Sequence, residues 1–360
     1  MQQFHCTTQI YSGAGSMGAL QNMHIKKLLL VCDPFFVENG IAQSVIEAAK
    51  SPENRIFSQI VPDPSVTLAA KGAAEVNAFC PDAVVALGGG STMDTAKAMV
   101  YFSNIQPKFI AIPTTSGSGS EVTDFAILTH DGVKHPLVDQ QLKPDVAILD
   151  SDLLTSLPSS LIADGGFDLI SHALEAFVAS NHSIFSDLMA AKAFEITIDQ
   201  LQRSFDGDAS VRGQIHNAAT MAGIAFSQAG LGICHAISHS LGGEFHIAHG
   251  RLNAILLPAV IDCNASSCAQ RYAQLARQAN LSCGSDHMAL RALKNAILRL
   301  RRNLKLPENL YQAGICTMDL QNKMEILVDA ALSDPCCHTN PVAVEKSMIH
   351  RIINEVAGHG

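Results

Sequence analysis

Asp168 and His172 stand four residues apart in the apolar stretch 167–177, so on a helix they share one face and can grip one ion. Farther along, His235, His239, His246 and His249 fall within 15 residues of mostly apolar or small sequence. Unpaired imidazoles desolvated in such a setting are costly, so some of them must be coordinated or hydrogen-bonded. Spacing alone does not choose among them, because His235 and His239 are themselves an i,i+4 pair. Taken singly, each histidine is more often a satisfied polar group than a ligand, and it is the grouping that shifts the balance. One carboxylate with several imidazoles suits a divalent first-row ion that keeps an open position, which points to metal-assisted chemistry.

The other half of the chain reads as nucleotide-binding. The run Ala83-Val-Val-Ala-Leu-Gly-Gly-Gly-Ser-Thr-Met-Asp-Thr-Ala-Lys-Ala98 is a strand, a glycine turn and a helix start. Such glycines admit a pyrophosphate close to the backbone, and free amides at a helix start receive its charge. It is not a GxGxxG fingerprint, and a sharp turn without ligand is the plain alternative. A second small, hydroxyl-rich loop, Pro113-Thr-Thr-Ser-Gly-Ser-Gly-Ser-Glu121, follows another predicted strand and makes a phosphate cradle more credible. Asp33, just after the strand Lys27 to Val31, can accept from a ribose 2'-hydroxyl and would repel a 2'-phosphate, favouring NAD over NADP. A helix-capping Asp before Pro34 is the competing reading.

These motifs need elements to hold them. Up to about Asp150, short aliphatic runs alternate with Ala-rich helical stretches, the signature of βαβ units and a parallel sheet. Strands are expected at 27–31, 83–87, 109–112, 126–129 and 146–149, with helices at 41–50, 66–78 and 93–101. Beyond that point helical spacing dominates, as in 168–179, 186–201, 212–226 and 288–302. The expectation is an α/β Rossmann-like nucleotide-binding domain over 1–152 and an all-α metal-binding domain over 153–360.

Composition limits the function classes. Among 360 residues 48% are hydrophobic and only 16% charged, which excludes a disordered tail or coiled coil and suits a compact enzyme. The net charge of -9 has no long basic block, and Arg299, Arg301, Arg302 and Lys305 read as a solvated helix face, so no nucleic acid partner is expected. Ten cysteines without a CxxC pair imply reduced thiols, Cys336-Cys337-His338 included. With no signal peptide and no apolar run near membrane-spanning length, a cytoplasmic protein without a membrane partner is expected.

Along nearly its whole length the chain resembles the iron-containing (group III) alcohol dehydrogenases. The resemblance rests on Gly88-Gly-Gly-Ser-Thr-Met-Asp94, the 113–121 loop, Asp168-Leu-Ile-Ser-His172 and His235 to Gly250. It implies the dehydroquinate synthase-like fold and an ion, Fe(II) with Zn as the alternative, held by Asp168, His172, His235 and His249. His239 becomes a nearby histidine suited to pass the hydroxyl proton, with a packed side chain as the rival reading. Contacts to NAD are implied at Asp33, Gly88, Gly89, Gly90, Ser91, Thr114, Thr115, Ser118 and Lys134. Asp94 and Lys97 are open to reading as a structural i,i+3 pair.

Within the family, Tyr11-Ser-Gly-Ala-Gly-Ser16, 221–232 and 242–250 are most similar to members serving propanediol-utilising bacterial microcompartments. That implies a short-chain aldehyde and primary alcohol, propionaldehyde and 1-propanol, as substrates, and a homodimer or larger assembly with microcompartment enzymes or shell as partners. Lactaldehyde with 1,2-propanediol, or ethanol, are alternatives within the family. A dehydroquinate synthase-type lyase would need Lys and Arg around the metal, and none lies in the ligand motifs. A zinc-dependent glycerol dehydrogenase differs in metal and polyol, and a non-catalytic binding module would leave the metal-suited side chains unexplained.

Overall fold

The computed structural model describes residues 4–130 and 133–358, the side chains of Val133 and Lys134 excepted. It divides into two compact units: His5–Leu157, and Phe4 together with the chain from Pro158 onward. Phe4 belongs to the second because its ring stacks on Phe185 at 5.2 Å.

The first unit runs β1 (Gln9–Ser12), β2 (Lys27–Cys32), α1 (Pro34–Glu38), α2 (Ile41–Ala49), β3 (Glu53–Phe57), α3 (Val66–Phe79), β4 (Ala83–Gly88), α4 (Gly90–Tyr101), β5 (Lys108–Pro113), β6 (Phe125–His130), β7 (Val133–Val138) and β8 (Val146–Leu149). Six strands form one parallel sheet in the order β1-β8-β5-β4-β2-β3, and β6 with β7 make a separate antiparallel ribbon. The strand residues alternate between two cores. Leu28, Leu30, Val85, Leu87, Ile110 and Ile112 face α2, while Leu29, Val31, Val84, Ala86 and Phe109 face α3 and α4. Both faces are therefore covered, as parallel sheets require.

The chain moves from β2 outward to β3, then crosses back to place β4 on the other side of β2, so the direction of winding reverses between β2 and β4. The carboxyl ends of strands at such a reversal are where doubly wound sheets bind ligands. Asp33 follows β2, and Gly88 ends β4 with Gly89 and Gly90 after it, at that position.

Three strands escape the sequence reading. β3 is Glu-Asn-Arg-Ile-Phe at the sheet edge with only Phe57 buried, so it carries no apolar run, and β1 is a short polar edge. β7 contains Pro136, which marks a run as non-strand unless it pairs, as here, in an outlying ribbon. α4 also begins three residues earlier than 93, because Gly90 and Ser91 enter the first helical turn.

Lys97 is fully buried and donates to Thr123 O (3.0 Å), Thr123 Oγ1 (2.8 Å) and Phe125 O (2.8 Å), pinning β6 to α4. Asp94 accepts from Ser120 Oγ and Ile127 N, both at 3.2 Å. The two residues thus tie the glycine-turn helix to the following loop. Burial pushes the Lys97 amine down to about 8 against the opposing pull of Asp94, Glu121 and Asp124. The unfolded chain holds this proton up to about pH 10.4, so above pH 8 it binds more protons than the folded one and stability rises with pH. Comparing urea unfolding of wild type and Lys97→Met, wild type should gain about 2 to 3 kcal/mol on the variant between about pH 7.5 and 10.5. An unchanged difference would show that the amine is not desolvated.

Among the described residues the second unit has helices and no β-strand: α5 (Ser159–Val178), α6 (Ile184–Phe205), α7 (Arg212–Ala229), α8 (Ile233–Phe245), α9 (His249–Gln278), α10 (Asp286–Asn303), α11 (Thr317–Leu332) and α12 (Lys346–Val356). α5 packs against α6, α7 and α9, and α9 also meets α8, α10 and α12. By length and a mean hydropathy of 1.3, α9 could cross a membrane, contrary to the sequence expectation of no such run. With 72% of that window buried among other helices, it serves as the core helix of this unit.

Candidate metal centre and nucleotide turn

α5 carries Asp164, Asp168, His172 and Glu175 at spacings that place them on one face. Opposite it, α8 presents His235, and His249 is the first residue of α9. Asp168 Oδ1 lies 3.8 Å from His172 Nε2, 3.8 Å from His235 Nε2 and 3.6 Å from His249 Nε2. Those separations exceed a hydrogen bond. They are near the edge of a coordination tetrahedron, about 3.4 Å for ligands some 2.1 Å from an ion. Donor atoms of Asp168, His172 and His235 lie within 4.8 Å of one another, and His249 joins them through the carboxylate. Its side chain is the most exposed of the four, at 33%, and marks the open side.

The surrounding groups hold this set in place. Glu175 Oε2 lies 2.5 Å from His235 Nδ1. A carboxylate only accepts, so Nδ1 bears the proton and Nε2 is left to face Asp168. The same carboxylate accepts from Gly232 N (2.9 Å) and Cys234 N (2.7 Å), tying down the start of α8. Asn253 Nδ2 donates to Asp168 Oδ1 at 3.0 Å, while its own oxygen accepts from Ser238 Oγ. His172 stacks between Phe226 and His235, at 4.4 and 4.5 Å between ring centres.

Electrostatics agree with a cation site. Burial would raise the Asp168 carboxyl, but His172, His235 and His249 around it hold it well below the usual carboxylate range. Burial would lower His235, yet the carboxylates of Asp168 and Glu175 beside it push it up to about 9, a measure of the negative charge gathered there. A buried carboxylate that stays ionised, ringed by imidazole nitrogens at ligand spacing, fits a divalent ion.

His239 sits one turn beyond His235 on α8 but turns elsewhere. Its Nδ1 donates to Asp334 Oδ2 at 2.8 Å, and its ring stacks on His249 at 5.0 Å. Burial would raise the Asp334 carboxyl, but His239 holds it down at about 2. His246 caps α8 in the left-handed region at φ 54° and is exposed. Glu175, Asn253 and Asp334 escape the sequence reading. Glu175 was findable, since it extends the Asp168–His172 face by one more turn, whereas Asn253 and Asp334 are brought in only by folding.

In the α/β unit the phosphate-suited loops meet. Gly88 pairs with Pro113, and Thr114 N donates to Gly88 O at 3.0 Å, so the 88–91 turn and the 114–118 loop adjoin at the ends of β4 and β5. A Cβ on Gly88 would come within 2.3 Å of Thr92 Oγ1, so only glycine fits there. Gly89 caps α4 with no side-chain bond, leaving the amides of Gly90 and Ser91 for an anion. Asp33 Oδ1 accepts from Phe35 N at 2.8 Å as the cap of α1. Lys134 lies in β7 opposite Thr129, and its side chain is outside the described residues.

The profile of the family "Iron-containing alcohol dehydrogenase" matches residues 7–151, and that of "Fe-containing alcohol dehydrogenase family, C-terminal" matches residues 162–357. The chain is 40% identical to 1-propanol dehydrogenase PduQ of Salmonella typhimurium, over 99% of this chain and 100% of that protein. It is 36% identical to the NADPH-dependent butanol dehydrogenase of Clostridium saccharobutylicum, over 98% of this chain and 97% of that one. Among solved structures, sulfoacetaldehyde reductase from Bifidobacterium kashiwanohense in complex with NAD+ matches with a TM-score of 0.90 at 26% identity, covering 100% of each chain.

Proposed function

Since the chain belongs to the iron-containing alcohol dehydrogenase family and is an oxidoreductase, we propose that it interconverts propionaldehyde and 1-propanol with NAD(H) as hydride carrier and Fe(II) as the ion. The observation that carries this reading is the set of three imidazole nitrogens at 3.6 to 3.8 Å around one oxygen of Asp168. Asp168, His172, His235 and His249 would hold the ion. When bound, the ion lowers the proton affinity of an alcohol oxygen or polarises a carbonyl, and nicotinamide carries the hydride.

The chain's own side chains supply the rest. Glu175 keeps the His235 Nδ1 proton in place, so that Nε2 serves as a donor atom. Asp334 fixes the His239 Nδ1 proton, which leaves His239 Nε2 as the acceptor for the hydroxyl proton on its way to solvent. Asp33, Gly88, Gly89, Gly90, Ser91, Thr114, Thr115, Ser118 and Lys134 would bind NAD. The choice of NAD rests on Asp33, whose charge opposes a 2'-phosphate, although one relative is named for NADPH. The choice of 1-propanol rests on the likeness to PduQ, and that of iron on the family. The resemblance of 11–16, 221–232 and 242–250 to family members serving bacterial microcompartments supports a cytoplasmic homo-oligomer within such a compartment, which light scattering and cofractionation with shell proteins would check.

One assay tests the reading. Protein purified anaerobically should contain iron and reduce propionaldehyde with NADH. Its kcat/KM should be roughly tenfold or more above that for acetaldehyde, the worth of one methylene in an apolar pocket, and above that for lactaldehyde. NADPH should serve poorly. His239→Ala in the same assay should keep its iron but lose rate and change its pH profile. Lactaldehyde or ethanol as the better substrate, or preference for NADPH, would overturn the finer assignment, and an unaltered His239→Ala profile would remove the proton role.

A further inference from the structure

Next to the first set of ligands, the helical unit gathers a second, chemically different set. Asp334 accepts from His239 Nδ1 through Oδ2 and from Cys336 N through Oδ1, both at 2.8 Å. Donor atoms of His239, Asp334 and Cys336 all lie within 4.8 Å of one another. The sequence presents Cys336-Cys337-His338 as one undivided cluster, and the fold separates its members. Cys337 Sγ turns inward and donates to Ala331 O at 3.1 Å, and His338 is exposed. Cys336 alone stays half-buried beside Asp334 and His239.

The geometry is held by backbone. Asp334 caps the 3-10 turn Pro335–Thr339, so its carboxylate and the Cys336 thiol are fixed relative to each other two residues apart. His239 comes from α8, which makes the group tertiary. One thiolate and one carboxylate cancel a divalent charge, and a sulfur, nitrogen and oxygen set favours zinc-like ions over magnesium or calcium. The Asp168 set contains no sulfur, so the two sites differ in preference as well as position.

We propose that His239, Asp334 and Cys336 form a second binding site for a thiophilic divalent ion such as Zn2+, and that filling it inhibits the enzyme. The ion replaces the thiol proton of Cys336, and the proton on His239 Nδ1 moves to Nε2, so one proton leaves for each ion bound. His239 Nε2 then carries a hydrogen and can no longer accept one. Inhibition rests on the proton role assigned to His239 above, whereas ion binding does not.

The test uses the whole enzyme with its first site already loaded, titrated anaerobically with Co2+. Bound ions per chain and the near-ultraviolet thiolate-to-cobalt absorption are recorded. Wild type should take up one ion more and develop the thiolate band, and excess Zn2+ should suppress its activity. Cys336→Ser should lose both the extra ion and the band, keep wild-type activity without added ion, and resist Zn2+. Cys337→Ser should retain the band. No extra ion in wild type, an extra ion without the thiolate band, or a band that survives Cys336→Ser would each overturn the site. Extra-ion uptake in a protein inactive on every alcohol would instead defeat the proposed function and leave this site standing.

Discussion

Replacing Asp168 with asparagine should leave the helical unit folded while cutting bound metal below about a tenth of wild type and kcat by about 10³-fold or more. The magnitude follows from its position. All three imidazoles present Nε2 to the same oxygen, Asp168 Oδ1, and among the described residues Asp168 is the carboxylate grouped with His172 and His235. An amide keeps the shape and one acceptor but removes the charge that offsets the ion, in a side chain only 13% exposed. Folding should suffer little, because the packing of α5 rests on its apolar neighbours Phe167, Leu169 and Ile170, each fully buried. Metal analysis, steady-state rates and a melting curve check this together. Asp168→Asn with full metal and full rate would end the assignment of the centre.

The second large effect is expected at Gly250, where Gly250→Ala should cost about 3 kcal/mol or more in urea unfolding and weaken metal binding by at least about tenfold. A Cβ there would stand 1.8 Å from Asp164 O and 2.6 Å from its carbonyl carbon, with Asp168 Cβ at 3.2 Å. The obstacle is α5 backbone, which cannot rotate away as a side chain can, so α9 would have to retreat. That retreat carries off His249 and Asn253, both in contact with Asp168, and breaks the paired bonds from Arg251 to Asp164 at 3.2 and 2.9 Å. Stability and metal affinity should therefore fall together. Gly243→Ala is the control, since nothing lies within 4 Å of its Cβ and the helix propensity of alanine should make it neutral or stabilising. A Gly250→Ala protein with wild-type stability and ion affinity would show that the two helices do not position the site through this contact.

Much of the α/β unit is legible because a strand buried on both faces must be continuously apolar, as 28–32, Ala83–Gly88 and Val146–Leu149 are. Edge strands owe nothing to that requirement, and β1 and β3 are unreadable for that reason. Helices α8 and α9 are obscured in a different way. Gly242 and Gly243 weaken the helical pattern near the end of α8, and Pro258 interrupts the pattern of α9, although both helices run through these residues.

In the site, local periodicity alone pairs Asp168 with His172, since four residues on a helix bring two side chains to one face. Sequence likewise places Gly88 where β4 turns into α4, because a Cβ there would run into the Thr92 side chain. Periodicity has no power over residues on different helices. Among four histidines within one short stretch, folding aims His235 and His249 at Asp168, hands His239 to Asp334 from 95 positions away, and leaves His246 at an exposed helix end. That selection depends on the close approach of α5 and α9 at Gly250 and on Glu175 anchoring α8. Such contacts join residues far apart in the chain and are decided by how the helices pack.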